Sequence, residues 1–276
     1  MKSKYIISNL FFLVILLLLF CTGANAAVDD SIPQEIKEKI SAAYLIPIED
    51  LDDMTLSDIT PLLDDLDSAV LECSETVYIC VKENEYGEVT CESYTEEEYL
   101  QMNFASSVDS TTDTYSVMQI VTSIGSYSST IGYANATFTW LTVPSFRLTD
   151  YVALLILNGT IIDDSEYGYY KCTYNNDSGG GTTTKTTTFS SSAFTTQARF
   201  LTAKFAMLKP DTTVTADKAH IYLKFTKSGS SDAVTSYYFH GKVSVTPSIE
   251  LSDSTGLSIT PSYAFDSYTG YKDITW

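Results

Sequence analysis

The residues of this chain best equipped for chemistry are its tyrosines, its two histidines and four of its cysteines. Twenty tyrosines occur in 276 residues, and some stand close together: Tyr167, Tyr169, Tyr170 and Tyr174 in one run, Tyr263, Tyr268 and Tyr271 in another. A tyrosine ring buries a flat apolar face and keeps a hydrogen-bonding tip. Exposed, such rings suit a sugar or a protein partner; alternating along a strand, they also fill the half-wet faces of a secreted β-protein. Tyr167, Tyr169, Tyr170 and Tyr174 are therefore the candidate ligand-binding set.

His220 and His240 each sit in an alternating, strand-like segment and are expected at the surface or half-buried. A Ser–His–acid triad would have to use one of them, and no serine stands out as its partner. There is no Gly-x-Ser-x-Gly, no His-Glu-x-x-His, no phosphate-cradling glycine loop and no EF-hand pattern. A carboxylate-pair glycosidase needs no such motif, but Asp150, Asp163, Asp164 and Glu166 are ordinary acids in their surroundings. No catalytic residue, cofactor or metal ligand is assigned.

The leading segment reads as a secretory signal. Lys2 and Lys4 open it, Phe11 to Phe20 is an unbroken apolar core, and Ala24-Asn25-Ala26 is a small-residue cleavage site. The mature chain is expected to be secreted and extracellular, with a signal over residues 1–26 cleaved after Ala26. Cys73, Cys80, Cys91 and Cys172 then remain, and an even number in a secreted chain points to two disulfides. Strand-like segments at Thr76–Val81 and Glu88–Glu92 flank the turn Asn84-Glu85-Tyr86-Gly87. A hairpin symmetric about Glu85 and Tyr86 sets Cys80 opposite Cys91, at bridging distance. The expected pairs are Cys80–Cys91 and, by remainder, Cys73–Cys172. A turn longer by one residue would remove the argument. Zinc is not expected, since no Cys-x-x-Cys and no nearby histidine occur.

Charge divides the chain. Residues 27–109 hold 22 Asp and Glu against 3 Lys, whereas 110–276 hold 13 against 11 Lys and Arg. The net charge of −19 thus belongs to one third of the protein. It argues against nucleic acid as a partner. We read 27–109 as an acidic helical and hairpin region and 110–276 as a β-domain. In the first, Gln34–Ala43 is helical, Thr60-Pro61 opens a second helix, and Thr95 with Glu98 has capping-box spacing. A propeptide role for this region is a competing reading.

The second region is organised around Ala134–Ile162. Thr137–Val143 alternates as a strand, and Tyr151–Leu157 is apolar throughout, as in a strand buried on both faces. Asn158-Gly159 then signals a hairpin turn, with a short helix as the alternative. Further strands are expected at Thr114–Ile124, Tyr167–Tyr174, Leu201–Met207, Ile221–Phe225, Tyr237–Val245 and Leu257–Ile259. Strands at this spacing predict a mainly β fold, an antiparallel β-sandwich with a barrel as alternative.

The functional expectation is a secreted, non-enzymatic protein that binds a surface, a glycan or a protein partner. Two alternatives stand beside it: a membrane-damaging β-protein, in which Gly179–Thr196 would open into a hairpin, and a secreted hydrolase acting on polysaccharide. No stable membrane insertion is expected of the soluble form, and the sequence leaves the oligomeric state open.

Overall fold

Two antiparallel sheets lie face to face in the computed structural model, which describes residues 30–83, 89–102, 114–144, 147–176, 180–241, 248–252, 256–260 and 265–275. The strands in chain order are β1 (Val70–Glu83), β2 (Val89–Thr95), β3 (Thr114–Ser126), β4 (Ile131–Trp140), β5 (Thr149–Ile156), β6 (Thr160–Ile161), β7 (Tyr167–Asn175) and β8 (Thr182–Thr188). They continue as β9 (Phe194–Gln197), β10 (Phe200–Ala206), β11 (Val214–Thr226), β12 (Ser231–Gly241), β13 (Ser248–Ser252), β14 (Gly256–Thr260) and β15 (Phe265–Thr275). The larger sheet runs β2-β1-β3-β4-β11-β7-β8, with β6 also on β11; the smaller runs β15-β12-β5-β10-β9. β13 and β14 form a separate hairpin. This is the expected antiparallel sandwich; the sheets do not close into a barrel. The expected signal segment lies outside the described residues.

Period-two alternation builds the core. Ala134, Ala136, Phe138 and Trp140 of β4 and Ile221, Leu223 and Phe225 of β11 point toward the smaller sheet. Val152, Leu154 and Ile156 of β5, Leu201, Ala203 and Phe205 of β10, and Val234 and Tyr238 of β12 answer them. Small alanines facing large aromatics let the two layers interdigitate at interior density. Burying each leucine or isoleucine contributes roughly 1.5–3 kcal/mol. β5 is buried on its other face too, where Tyr151, Ala153 and Leu155 cluster with Phe200, Tyr237 and Phe239. That explains its continuous apolar run.

The Asn158-Gly159 hairpin is not formed. β6 pairs with β11 of the opposite sheet rather than with β5, so the chain changes sheets here. Asp232 fixes the crossing by accepting the Asn158 N–H at 2.9 Å, and Asn158 Nδ2 donates to the Ser231 carbonyl at 3.2 Å. Gly159 is required by closeness: a Cβ there would lie 2.5 Å from the Phe225 ring and 2.9 Å from the Thr226 carbonyl.

Residues 32–69 pack over the outer face of the larger sheet as three short helices and a 3-10 turn, α1 (Gln34–Tyr44), α2 (Ile48–Leu51) and α3 (Thr60–Leu63) among them. Ile36 and Ile40, four apart, face the sheet, and α1 stops where Leu45 turns left-handed (φ 55°). Thr60 lies inside α3 rather than capping it, and the helix ends after one turn. α4 (Glu96–Gln101) does carry the expected capping box: Thr95 Oγ1 accepts from Glu98 N, and the Glu98 carboxylate accepts from Thr95 N at 2.8 Å.

Two expectations about the first hundred residues meet the sheet directly. The compositional boundary near 110 falls between β1 and β3, which pair from Val70↔Ser126 to Glu83↔Thr114; residues 32–276 form one compact unit. Neither expected disulfide is formed among the described residues. Cys80 pairs with Glu92 and Cys91 with Val81, one residue from the symmetric register, so the two thiols leave opposite faces of the β1–β2 ladder. Cys73 on β1 and Cys172 on β7 are separated by β3, β4 and β11.

Candidate functional site

The tyrosine run lies on β7, between β11 and β8. Alternation sends Tyr167 and Tyr169 outward and Tyr170 inward. The outward pair is nonetheless buried, because the N-terminal segment covers it. Tyr167 Oη donates to Met54 Sδ at 3.3 Å, and Tyr169 Oη donates to Asp50 Oδ2 at 2.9 Å. Burial, reinforced by Asp50, holds the Tyr169 hydroxyl protonated well above its ordinary range. Tyr174 is half-buried at the strand end. The four tyrosines therefore form no common exposed platform, and Tyr170 borders an open pocket.

Asp50 fastens the segment to the sheet. Its carboxylate lies 2.8 Å from Lys218 Nζ and 3.2 Å from Lys171 Nζ, and Lys171 also donates to the Glu49 carbonyl at 2.6 Å. A cleft of about 550 Å³ opens beside this cluster, lined by Glu49, Asp52, Asp53, Thr139 and Thr173 with the two lysines. Both cations already hold counter-ions, so the cleft works as a clasp.

Both histidines are buried, contrary to the sequence reading. His220 stacks on Tyr169, with centroids 5.3 Å apart, and shares a 2.9 Å hydrogen bond with Thr137 Oγ1. Burial pushes its pKa down to about 3. His240 Nδ1 lies 2.9 Å from Asp150 Oδ2, and the same carboxylate accepts from Tyr238 Oη and from Gly241 N at 3.0 Å. Trp140 closes this group, donating to Tyr238 Oη at 3.1 Å. The acid thus serves one histidine and the hydroxyl the other, and no acid–histidine–hydroxyl relay is assembled among these contacts.

Sequence reasoning passed over Arg147. Its guanidinium is held between the sheets by Asp217, with Nη2 2.7 Å from Oδ1, and also reaches Tyr170 Oη at 2.9 Å and the Leu208 carbonyl. Tyr170 in turn donates to Asp217 and accepts from Leu208 N at 3.3 Å. Its hydroxyl is therefore spoken for, and only its ring borders the pocket.

That pocket, about 350 Å³, opens where the two sheets part. Three rings stack along it: Tyr170 on Phe205 at 5.0 Å, and Phe205 on Phe189 at 5.5 Å. Thr187, Ser190 and Lys185 of the β8 side complete the lining, with Lys204, Phe205 and Ala206 of β10. β9 pairs with β10 only from Phe200 to Ala203, so the β10 edge beyond Ala203 is free of it. Unpaired edge peptide groups are ready hydrogen-bond partners. The Lys204 ammonium itself belongs to the outer face, 5.9 Å from the Tyr151 ring centroid. An aromatic wall, hydroxyls and a strand edge suit a ligand with one apolar face and a polar rim. No sequence signal connected Phe189 with Phe205.

No family model and no curated protein matches the chain. Among solved structures it has weak likeness to the Clostridium perfringens delta-toxin (9% identity, 58% of this chain and 85% of that chain, TM-score 0.23). It has similar likeness to a pore forming protein (8%, 58% and 84%, TM-score 0.20) and to the Clostridium perfringens NetB toxin in the membrane inserted form (7%, 74% and 97%, TM-score 0.21). At such scores these resemblances carry no argument about fold or activity.

Proposed function

We propose that this is a secreted, non-enzymatic β-sandwich protein that binds a glycan through the pocket at the open end of the sandwich. The observation that carries this reading is the Tyr170–Phe205–Phe189 stack lining a solvent-open pocket beside hydroxyls and a free strand edge. Aromatic rings receive the C–H face of a sugar while polar groups take its hydroxyls. The buried histidines support binding over catalysis, because each is engaged inside the fold. The test is a pull-down of the mature protein on insoluble polysaccharides and whole cell walls, with released sugar assayed in the same tubes. Binding without release is expected. Release of sugar would replace this reading with a hydrolase.

A second reading, membrane damage, is favoured by the β13–β14 hairpin. There Ile249 pairs with Ile259 and Leu251 with Leu257, while Ser248, Glu250 and Ser252 pair with Thr260, Ser258 and Gly256. Such two-residue alternation gives a hairpin one apolar face, which a membrane-facing hairpin needs. Of the stretch 179–196, Thr182–Thr188 forms β8 of the larger sheet, and β9 (Phe194–Gln197) of the smaller sheet begins near its end. Dye release from liposomes is the discriminating measurement for the second reading.

A further inference from the structure

We propose that residues 32–69 are a displaceable cover, and that the outer face of the larger sheet beneath them is a docking surface for an acidic polypeptide that takes their place. That face is turned away from the inter-sheet core, so the surface is additional to the open-end pocket. The side-chain contacts that join segment and sheet run one way. Tyr133 Oη donates to the Ala43 carbonyl at 2.7 Å, Lys224 Nζ to the Asp64 carbonyl at 3.2 Å and Thr188 Oγ1 to Asp58 Oδ1 at 3.1 Å. With Lys171, Lys218 and Tyr169 on Asp50, the sheet donates and the segment accepts. The segment's own lysines are engaged within it, Lys37 by Asp52 and Lys39 by Asp67.

The face offers more donors than the segment answers. Ser123 Oγ, Asn135 Nδ2 and His220 Nε2 have no hydrogen-bond partner among the described residues, although all three side chains are buried. They lie together. Ser123 pairs with Asn135, Asn135 with Tyr222, and His220 with Tyr169, and both tyrosines belong to the cluster under the segment. Directly paired residues on neighbouring strands share a face. Asn135 Nδ2 is a donor, the Ser123 hydroxyl donates or accepts, and His220 Nε2 donates when Nδ1 accepts from Thr137. Buried polar groups without partners are rare and destabilising, and a face built only to be roofed by helices would carry apolar side chains here. The segment thus answers the lysines and leaves the middle of the face unserved. A chain with carboxylates for Lys171, Lys218 and Lys224 and further acceptors over Ser123, Asn135 and His220 complements the face better. The donors span β3, β4, β11 and β7, about 14 Å at ordinary strand spacing. A polypeptide bridges that width and a single small anion does not.

The test places a specific protease site after the exposed residues Asp67 and Ser68, where the segment joins β1, and cuts the folded chain. Poly-glutamate is expected to displace the labelled segment from the cut protein while far-ultraviolet circular dichroism shows the strands intact. It should bind the uncut chain at least tenfold more weakly. Lys171→Gln combined with Lys218→Gln should weaken its binding to the cut protein at least tenfold, and Asn135→Ala should weaken it severalfold. Hydrogen exchange on the uncut chain gives a second measure: amides of α1 should open ahead of those of β5 and β12, and sooner still in Asp50→Asn. Release of the segment only with loss of the strand signal, or protection of α1 equal to that of β5, would overturn the cover. A segment that poly-glutamate leaves in place, or that polygalacturonate alone displaces, would overturn the docking of an acidic polypeptide.

Discussion

Lys218 Nζ stands 2.8 Å from Asp50 Oδ2, and that ion pair joins β11 of the larger sheet to α2 of the N-terminal segment. With Lys171 on the other carboxylate oxygen and Tyr169 donating from below, one aspartate draws together three side chains of the sheet. Asp50 is almost fully buried, while the lysine side chains are 12% and 19% exposed. Breaking a buried pair by removing one partner costs about 3–5 kcal/mol. Solvent access to the lysines lowers the expectation for Asp50→Asn to about 2–3 kcal/mol. Urea denaturation should show it, together with faster proteolysis between residues 45 and 69. A loss of under about 0.5 kcal/mol would show that apolar packing alone holds the segment.

Arg147 and Asp217 form an enclosed ion pair between the sheets. Asp217→Asn should destabilise by about 3–5 kcal/mol, because it strands a buried guanidinium. Arg147→Met combined with Asp217→Leu should recover most of that loss, since a matched apolar pair leaves no uncompensated charge. Tyr170 would still need a partner for its hydroxyl, so Tyr170→Phe in the same background should bring a further gain. Thermal unfolding of the three variants beside the unmodified protein decides the matter.

His220 gives the fold a defined acid response. Its folded pKa is lowered to about 3 from 6.5 by burial, so the unfolded chain takes up the proton first. Above pH 6.5 both states are neutral there and the residue has no effect. As pH falls from 6.5 toward 3, stability should fall by up to about 1.4 kcal/mol per unit from this residue alone. His220→Gln should flatten the profile in that window and leave pH 8 stability nearly unchanged apart from a constant offset. Parallel slopes in the two proteins would contradict the assignment.

The thiols report on the β1–β2 register. With Cys80 opposite Glu92 and Cys91 opposite Val81, four free thiols are expected on unfolding the mature protein. In the folded state Cys91, which is exposed, should react first. Cys172 should stay silent, since burial above all pushes its pKa up to about 11. A count of two thiols would show that the symmetric register, with its bridge, had formed instead.

Much of the sandwich was legible because strict alternation survives wherever one face of a strand is buried. Leu201, Ala203 and Phe205 of β10 and Ile221, Leu223 and Phe225 of β11 alternate with other residues along strands expected from the sequence, and both sets line the core. The Thr95–Glu98 capping box was readable because it is local. The failures were non-local. Tyr167 and Tyr169 look like an exposed pair in sequence, and only the packing of Asp50 and Met54 over them, more than a hundred residues away in sequence, buries them. Asn158-Gly159 has hairpin chemistry, yet Asp232 and the tight approach of Phe225 carry the chain to the other sheet.

The candidate pocket was barely legible. Tyr170 was named as one of a set of four tyrosines, and it is the inward member of that run that borders the opening. Phe189 and Phe205 come from separate segments, and nothing in their spacing announces a stack.

The most direct test of glycan binding at the pocket is retention of the mature protein and its Phe189→Ala variant on insoluble polysaccharides, with released sugar followed in the same samples. The account predicts retention of the unmodified protein, at least a tenfold loss of retention for the variant at unchanged melting temperature, and no sugar released by either. Equal retention of the two proteins, or soluble sugar appearing with time, would contradict it.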